Sequence, residues 1–391
     1  MARNNGESKI PTTLAAQISS RMNIQYYFQN RLSLTDLQKL FRVSLISACG
    51  LGLLIIVGLT LPSATFSDSS PQIDIWYGPE QHFGQRGITQ QWVNVLGNVH
   101  PADEIQSVSY TLNGGESHPL SLGEDGRRLA NRGDFNVEMH YDSLQRGYNT
   151  IVITAEAKNG KQASEEVRVH VTHGQKWPLP YAVDWDTVQQ ITDVVQIVDG
   201  KWELVDGGVK TTEPYYDRVL SFGDTSWQDY EVTTSVVFHD FTLPSPGPPT
   251  FNVSHTAIAS RWPGHDIDDK QPNVKWFPLG ATAEFRLTDG LDSCRWRVFD
   301  GEHLYVEDTS KIRTIDLGTK YHMKHRVSTI HDSLTRYQVK LWEDGLPEPT
   351  NWDVVADEHS ADNIVSGSAL LLAHNTDVTF GSFSVIPITD D

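Results

Sequence analysis

Two cysteines, Cys49 and Cys294, are all that a chain of 391 residues contains. Cys49 lies inside a long apolar run and Cys294 stands alone in the acidic remainder, so no disulfide between them staples the fold. Packing and hydrogen bonds must suffice. Basic charge is also scarce, with 31 Lys and Arg against 50 Asp and Glu and a net charge of -19. A body that acidic repels duplex phosphates, which excludes nucleic acid as the expected partner. Reaction motifs are missing too. The chain has no Gly-x-Ser-x-Gly elbow, no phosphate-binding glycine loop and no Cys/His nucleophile pair. Nor does any strand carry two Glu with an Asp between them at alternate positions, the pattern that sets two carboxylates about 5 Å apart across a glycosidic bond.

Hydrophobic residues at 38% and aromatics at 10% are enough to build cores. Charge is unevenly spread. Residues 1–42 hold six cations against two acids, a balance of +4, so the rest of the chain carries -23. The break is "VSLISACGLGLLIIVGLTL", residues 43–61, uncharged and just long enough to span a hydrocarbon core. Positive charge before it and acid after it predict a transmembrane signal-anchor helix with the N-terminus cytoplasmic and the remainder periplasmic or extracellular. A cleaved signal peptide is the competing reading, weakened by Pro62 at the -3 position of its "PSA" site. "ISAC" (46–49) imitates a lipoprotein box. "LSLTDLQKLFRV" reads as an amphipathic lead-in helix, and residues 62–72 as a Ser/Pro spacer.

From residue 73 the pattern becomes short alternating runs between turns, among them "QWVNVLGNV", "FNVEMHY" and "NTIVITAEA". Period-two alternation predicts an antiparallel sandwich over 73–172. "LQRGYNTIVITAEAKNGKQASEEVRVHV" resembles the closing hairpin of bacterial Ig-like modules, which serve as spacers or adhesive units. A Pro- and Trp-bearing linker follows at 173–186. The remainder, 187–391, reads as eleven or more strands with no useful helix-period stretch, which suits a two-sheet jelly roll. The expected fold class is therefore all-β after the membrane helix. "LGTKYHMKHRV", "RYQVKLWEDGLPEPTNW" and "GSALLLAHNTDVTFGSFSV" resemble the concanavalin A-like lectin/glucanase superfamily in its laminin-G-like form. The resemblance implies a jelly roll and leaves activity open among binding modules, glycosidases, lyases and protein-binding domains.

Alternation places Glu284 and Arg286, then Arg297, then Lys324 and Arg326, then Lys340 on the polar faces of four strands that total seven cations and one acid. Sharing one concave sheet, Arg286, Arg297, Lys324, Arg326 and Lys340 would bind an acidic polysaccharide or glycoconjugate. The planar fork of Arg suits carboxylate or sulfate. The plainer reading is a face solvated or neutralised by loop acids. Trp262 and Trp276 flank an expected loop and are the candidates for stacking a sugar ring, while Trp296 should face the core. Glu284 and His374 complete the candidate site. Asp266, Asp268 and Asp269 offer the hard oxygens that calcium prefers, and no other cofactor is expected. His255, His265 and His374 show no paired metal-ligand spacing. The expected function is carbohydrate binding without cleavage. A degrading hydrolase or lyase and a protein-interaction ectodomain are the alternatives. An exposed Glu–Tyr or Glu–His pair in a groove would mark the enzyme.

Overall fold

The computed structural model describes residues 70–241, 253–275 and 280–388, which are all-β apart from four three-residue 3-10 turns. The expected membrane segment at 43–61 and Trp276 lie outside the described residues. Among those described, no helix is long and apolar enough to cross a membrane.

The first sandwich uses β1 (Gln72–Ile75), β2 (Glu80–Phe83), β3 (Trp92–His100), β4 (Ile105–Leu112), β5 (Ser117–Pro119), β6 (Asp134–His140), β7 (Gly147–Ala157) and β8 (Gln162–Val171). Sheet β1-β3-β6 faces sheet β2-β8-β7-β4-β5, and β2 runs parallel to β8. Strand β7 alternates strictly, with Ile151, Ile153 and Ala155 inward and unexposed. The Asn-Gly turn at 158–160 joins it to β8, with Gly160 at φ +81.

The second sandwich uses β9 (Tyr181–Val183), β10 (Gln196–Asp199), β11 (Trp202–Val205), β12 (Gly208–Thr211), β13 (Arg218–Phe222), β14 (Tyr230–Asp240), β15 (Ser254–Trp262), β16 (Ala281–Leu287), β17 (Arg295–Phe299), β18 (Tyr305–Glu307), β19 (Lys320–His331), β20 (Leu334–Glu343), β21 (Val354–Glu358), β22 (Ser368–His374) and β23 (Asp377–Pro387). A seven-stranded sheet, β10-β13-β22-β15-β16-β17-β18, packs on an eight-stranded one, β11-β12-β23-β14-β19-β20-β21 with β9 paired to β23. "YHMKHRV" lies in β19 with Tyr321, Met323, His325 and Val327 buried, as alternation required. Trp296 is buried in the same core.

Strand β3 is buried on both faces, although its sequence alternates apolar with polar. Its outer side meets the seven-stranded sheet. Gln196 donates to the Trp92 carbonyl at 2.8 Å, and Asn136 to that of Val198 at 3.0 Å. Arg128 bridges Asp199 (2.7 Å) and Glu138 (2.8 Å), all three buried. Trp76 and Leu96 of the first sandwich belong to the second sandwich's hydrophobic core. Burying side chains of that size contributes about 1.5–3 kcal/mol each. Residues 173–186 carry buried Trp177, Tyr181 and Trp185, with β9 in the second sandwich's sheet.

Candidate functional site

The sequence-predicted basic face divides. Arg286 and Arg297 lie on β16 and β17 in the seven-stranded sheet, whereas Lys324, Arg326 and Lys340 lie on β19 and β20 in the other. Two sheets packed face to face point their outer sides apart, so the five cations do not converge. Each is also neutralised. Arg286 pairs with Glu307 (3.5 Å) and Arg297 with Glu284. Lys324 pairs with Glu231 (3.0 Å) and Glu348 (2.7 Å), Arg326 with Glu231 (2.6 Å), and Lys340 with Glu348 (2.7 Å). Apart from Glu284, the acids stand on other strands or loops, which strand-by-strand alternation does not count. Lys340 and Arg326 also sit 4.4 and 5.2 Å from the Trp352 ring. A cationic face for acidic glycan is therefore corrected to a set of closed ion pairs.

Trp262 is fully buried, not a stacking platform at an edge. A bulge between Ala259 and Trp262 brings it beside Val198, Val219, Leu370 and Leu372, on the sheet face that the first sandwich covers. The acidic loop is likewise engaged internally. Asp266 pairs with Lys275 at 2.5 Å, and Asp268 accepts backbone N–H groups of Lys270 and Val274 at 3.2 and 3.1 Å. Asp269 adopts φ +59. Two groups of metal-capable side chains do converge among the described residues, and neither includes these three acids.

The first group lies on the outer face of the seven-stranded sheet. His255 on β15 stands directly across from His374 on β22, their rings stacked at 4.4 Å and 9°. Asp217, at φ +35 just before β13, places Oδ1 2.7 Å from His374 Nδ1. Glu284 on β16 lies 3.4 Å from His255 Nε2 and also binds Arg297. Tyr216 closes over His374 edge-on at 4.7 Å. All four of these acid and imidazole groups are buried. Burial, then the neighbouring His374, Arg297 and Arg286, hold His255 well below the usual imidazole range. Burial also pushes Glu284 up, against the pull of Arg297. Thus Glu284, Arg286, Arg297 and His374 are brought to one side of one sheet, and Asp217 and His255 join them. Sequence gives no sign of Asp217 and no ligand spacing for His255, because His255 and His374 are 119 positions apart and meet only through strand pairing. The available signal was a His closing or opening each of two apolar strands, "HTAIA" and "LLLAH".

Arg297 links this cluster to an open depression of about 380 Å³ lined by Phe299, Gly301, Glu302, His303, Leu304 and Tyr305. Its guanidinium lies 4.7 Å from the Phe299 ring and 5.8 Å from Tyr305. Tyr305 is 62% exposed, with its hydroxyl 3.0 Å from Glu307. A second group adjoins it. Asp300 accepts the backbone N–H of Glu302, His303 and Leu304 at 2.9, 2.9 and 2.8 Å, fastening the β17–β18 turn. His303 reaches Asp300 at 3.4 Å and Glu358 at 3.8 Å, while Tyr337 donates to Glu358. Burial, opposed by the Tyr337 hydrogen bond and aided by Asp300, pushes Glu358 up to about 6. Asp300 is held low despite burial by its three backbone donors. Carboxyls pushed apart in this way can divide acid and base roles. Here, however, Glu358 and Tyr337 are only 2% and 3% exposed, and the space they line is about 10 Å³, room for a water and not for a sugar. The crevice between the two sandwiches, near Tyr77, Trp177 and Gln196, holds about 40 Å³.

No protein family matches the chain, and no curated protein matches it. Among solved structures it is similar to an endo-β-1,4-mannanase from Thermotoga petrophila, at 9% identity and TM-score 0.21, covering 28% of this chain and 21% of that one. This chain thus spans about a fifth of the mannanase. A protein of unknown function with a galectin-like fold from Bacillus subtilis gives 10% identity and TM-score 0.32, over 55% of this chain and 97% of that one. The exoplasmic/lumenal domain of VIP36 in its Ca2+-bound form gives 12% and 0.30, over 49% and 83%. Likenesses this distant say nothing of a ligand, which has to be read from the side chains.

Proposed function

We propose that the second sandwich is a concanavalin A-like, non-cleaving carbohydrate-binding module that seats a neutral sugar in the depression at the β17–β18 edge. The observation that carries this reading is the 380 Å³ hollow with a mostly exposed Tyr305 ring on its wall. Ligand sites of roughly 300–1,000 Å³ combine apolar walls with a few convergent polar groups. Tyr305, Phe299 and Leu304 supply the former, and Glu302, His303 and Arg297 the latter. Neutrality follows from ion pairing, because Arg297 is already committed to Glu284. In the same reading the first sandwich is an Ig-like spacer, fixed rigidly to its partner. The 43–61 stretch anchors the chain in a membrane, with both sandwiches periplasmic or extracellular.

Full-length chain in detergent, applied to a glycan array with reducing-end detection alongside, tests the proposal. A neutral glycan should bind with little salt dependence, and Tyr305→Ala should weaken it about tenfold or more. Binding that fades with salt and survives Tyr305→Ala overturns the site. Release of reducing ends overturns the non-cleaving role and transfers attention to Asp300, His303 and Glu358.

A further inference from the structure

A buried imidazole nitrogen with no partner is uncommon, because an unsatisfied buried polar atom carries its full desolvation penalty. His255 Nδ1 is such an atom, on a residue only 4% exposed. Its other ring nitrogen faces Glu284 Oε1 at 3.4 Å. A carboxylate there holds the proton on Nε2 and leaves the lone pair on Nδ1. This is how metal-binding imidazoles are oriented: one nitrogen on a carboxylate, the other on the ion.

One donor atom each from Asp217, His255 and His374 lie within 4.8 Å of one another. Asp217 Oδ1 and His374 Nδ1 are 2.7 Å apart in a hydrogen bond, whose proton a shared ion would replace. Bonds of about 2.0–2.1 Å in a tetrahedral site put neighbouring ligands roughly 3.4 Å apart, and an ion lies in the plane of each imidazole it binds, so one of the two stacked rings has to turn out of parallel to share it. Among the described residues no Lys or Arg ion-pairs with Asp217, while Arg297 is turned to Glu284 and Arg286 to Glu307. The left-handed φ of +35 at Asp217 is a strained conformation for a residue with a side chain, and it is what presents the carboxylate to His374.

We propose that Asp217, His255 and His374 form a binding site for a divalent transition-metal ion of the zinc type, with Glu284 orienting His255 from behind. Two imidazoles and one carboxylate are a donor set for borderline ions and not for calcium, which takes six to eight oxygens. Thiolate plays no part: the exported region has one cysteine, Cys294, on the other side of the sheet among core residues. None of its three ligands lines the glycan depression, to which the cluster is joined only through Glu284 and Arg297.

The test uses full-length chain in detergent, stripped with a chelator and titrated with Co2+ and then Zn2+. One Co2+ per chain should bind with the visible bands of a low-symmetry nitrogen and oxygen site, without sulfur charge-transfer absorption, and Zn2+ should displace it. Asp217→Asn and His255→Ala should each weaken Zn2+ binding at least about tenfold, and Glu284→Gln about 10–100-fold, as for other supporting carboxylates. His303→Ala should leave affinity unchanged. The unaltered chain decides the matter even if a variant fails to fold. No stoichiometric Co2+ spectrum, or a spectrum that vanishes with His303→Ala and persists in Asp217→Asn, overturns the proposal.

Discussion

The two outer faces of the second sandwich carry the same residue types and have opposite fates. On the eight-stranded sheet, Lys324, Arg326 and Lys340 pair with Glu231 and Glu348 and lie against Trp342 and Trp352; Glu231 and Lys340 are buried, while Arg326 and Glu348 reach water. On the seven-stranded sheet, much of the outer face is roofed by the first sandwich, and polar groups there are fully dry: Arg128, Asp199, Glu138, Ser221 and His265. Surface ion pairs exchange water for a partner at little net gain. Under a roof, every donor and acceptor has to be satisfied or it destabilises the fold. The comparison teaches that polarity along a strand marks a side of the sheet, while what covers that side sets the energetics.

Breaking the roofed network should have the largest effect. Arg128→Met leaves Asp199 and Glu138 buried without their cation, and should lower unfolding free energy by about 3–5 kcal/mol in urea titration. Loss under 1 kcal/mol would show that water reaches this junction.

Acid should sharpen the contrast next. Burial, then Arg128, holds His265 well below the ordinary imidazole value. The folded state therefore excludes a proton that the unfolded chain takes up. Stability from this group is complete above about pH 6.5 and is lost as pH falls below it, by at most about 1.4 kcal/mol per pH unit. His265→Leu should flatten the urea midpoint between pH 6.5 and 5 by that slope, read against the unaltered chain. An unchanged slope would remove His265 as the source.

The smallest effect belongs to the unroofed face. Arg326, 37% exposed at its side chain, pairs with Glu231, which is buried but keeps Lys324 as a second cation. Arg326→Gln should cost less than about 1 kcal/mol, and less again in 1 M salt. A salt-insensitive loss of 2 kcal/mol or more would place this face under cover as well.

Much of the strand pattern was legible. The runs that became β3, β4, β6, β7, β8, β17, β19, β20 and β23 alternate, whereas those of β13, β15, β16 and β22 are buried on nearly every residue. Short β2, β5, β9, β10 and β21 do not stand out as strands and owe their conformation to partner strands; length alone is not the reason, since β18 has only three residues. The site was less legible than the fold. Glu284, Arg286, Arg297 and His374 belong to an internally paired cluster in which Glu284 and His374 are buried and the two arginines part-exposed, not to a face open to an acidic glycan. Trp262 was read as exposed since the bulge that turns it and the sandwich that covers it leave no mark in "SRWPGHD".

Local chemistry dictated the all-β character, the inward row Tyr321, Met323, His325 and Val327, and the inward Trp296, since burying apolar side chains at period two has one economical solution, a sheet. Pairing across the chain was decided only in three dimensions. That Lys324 and Arg297 belong to different sheets, that Glu231 reaches Arg326 across 95 positions, and that His255 meets His374, all depend on strand order. Strand order is set by how the two sheets, and the sandwich before them, best close their faces against water.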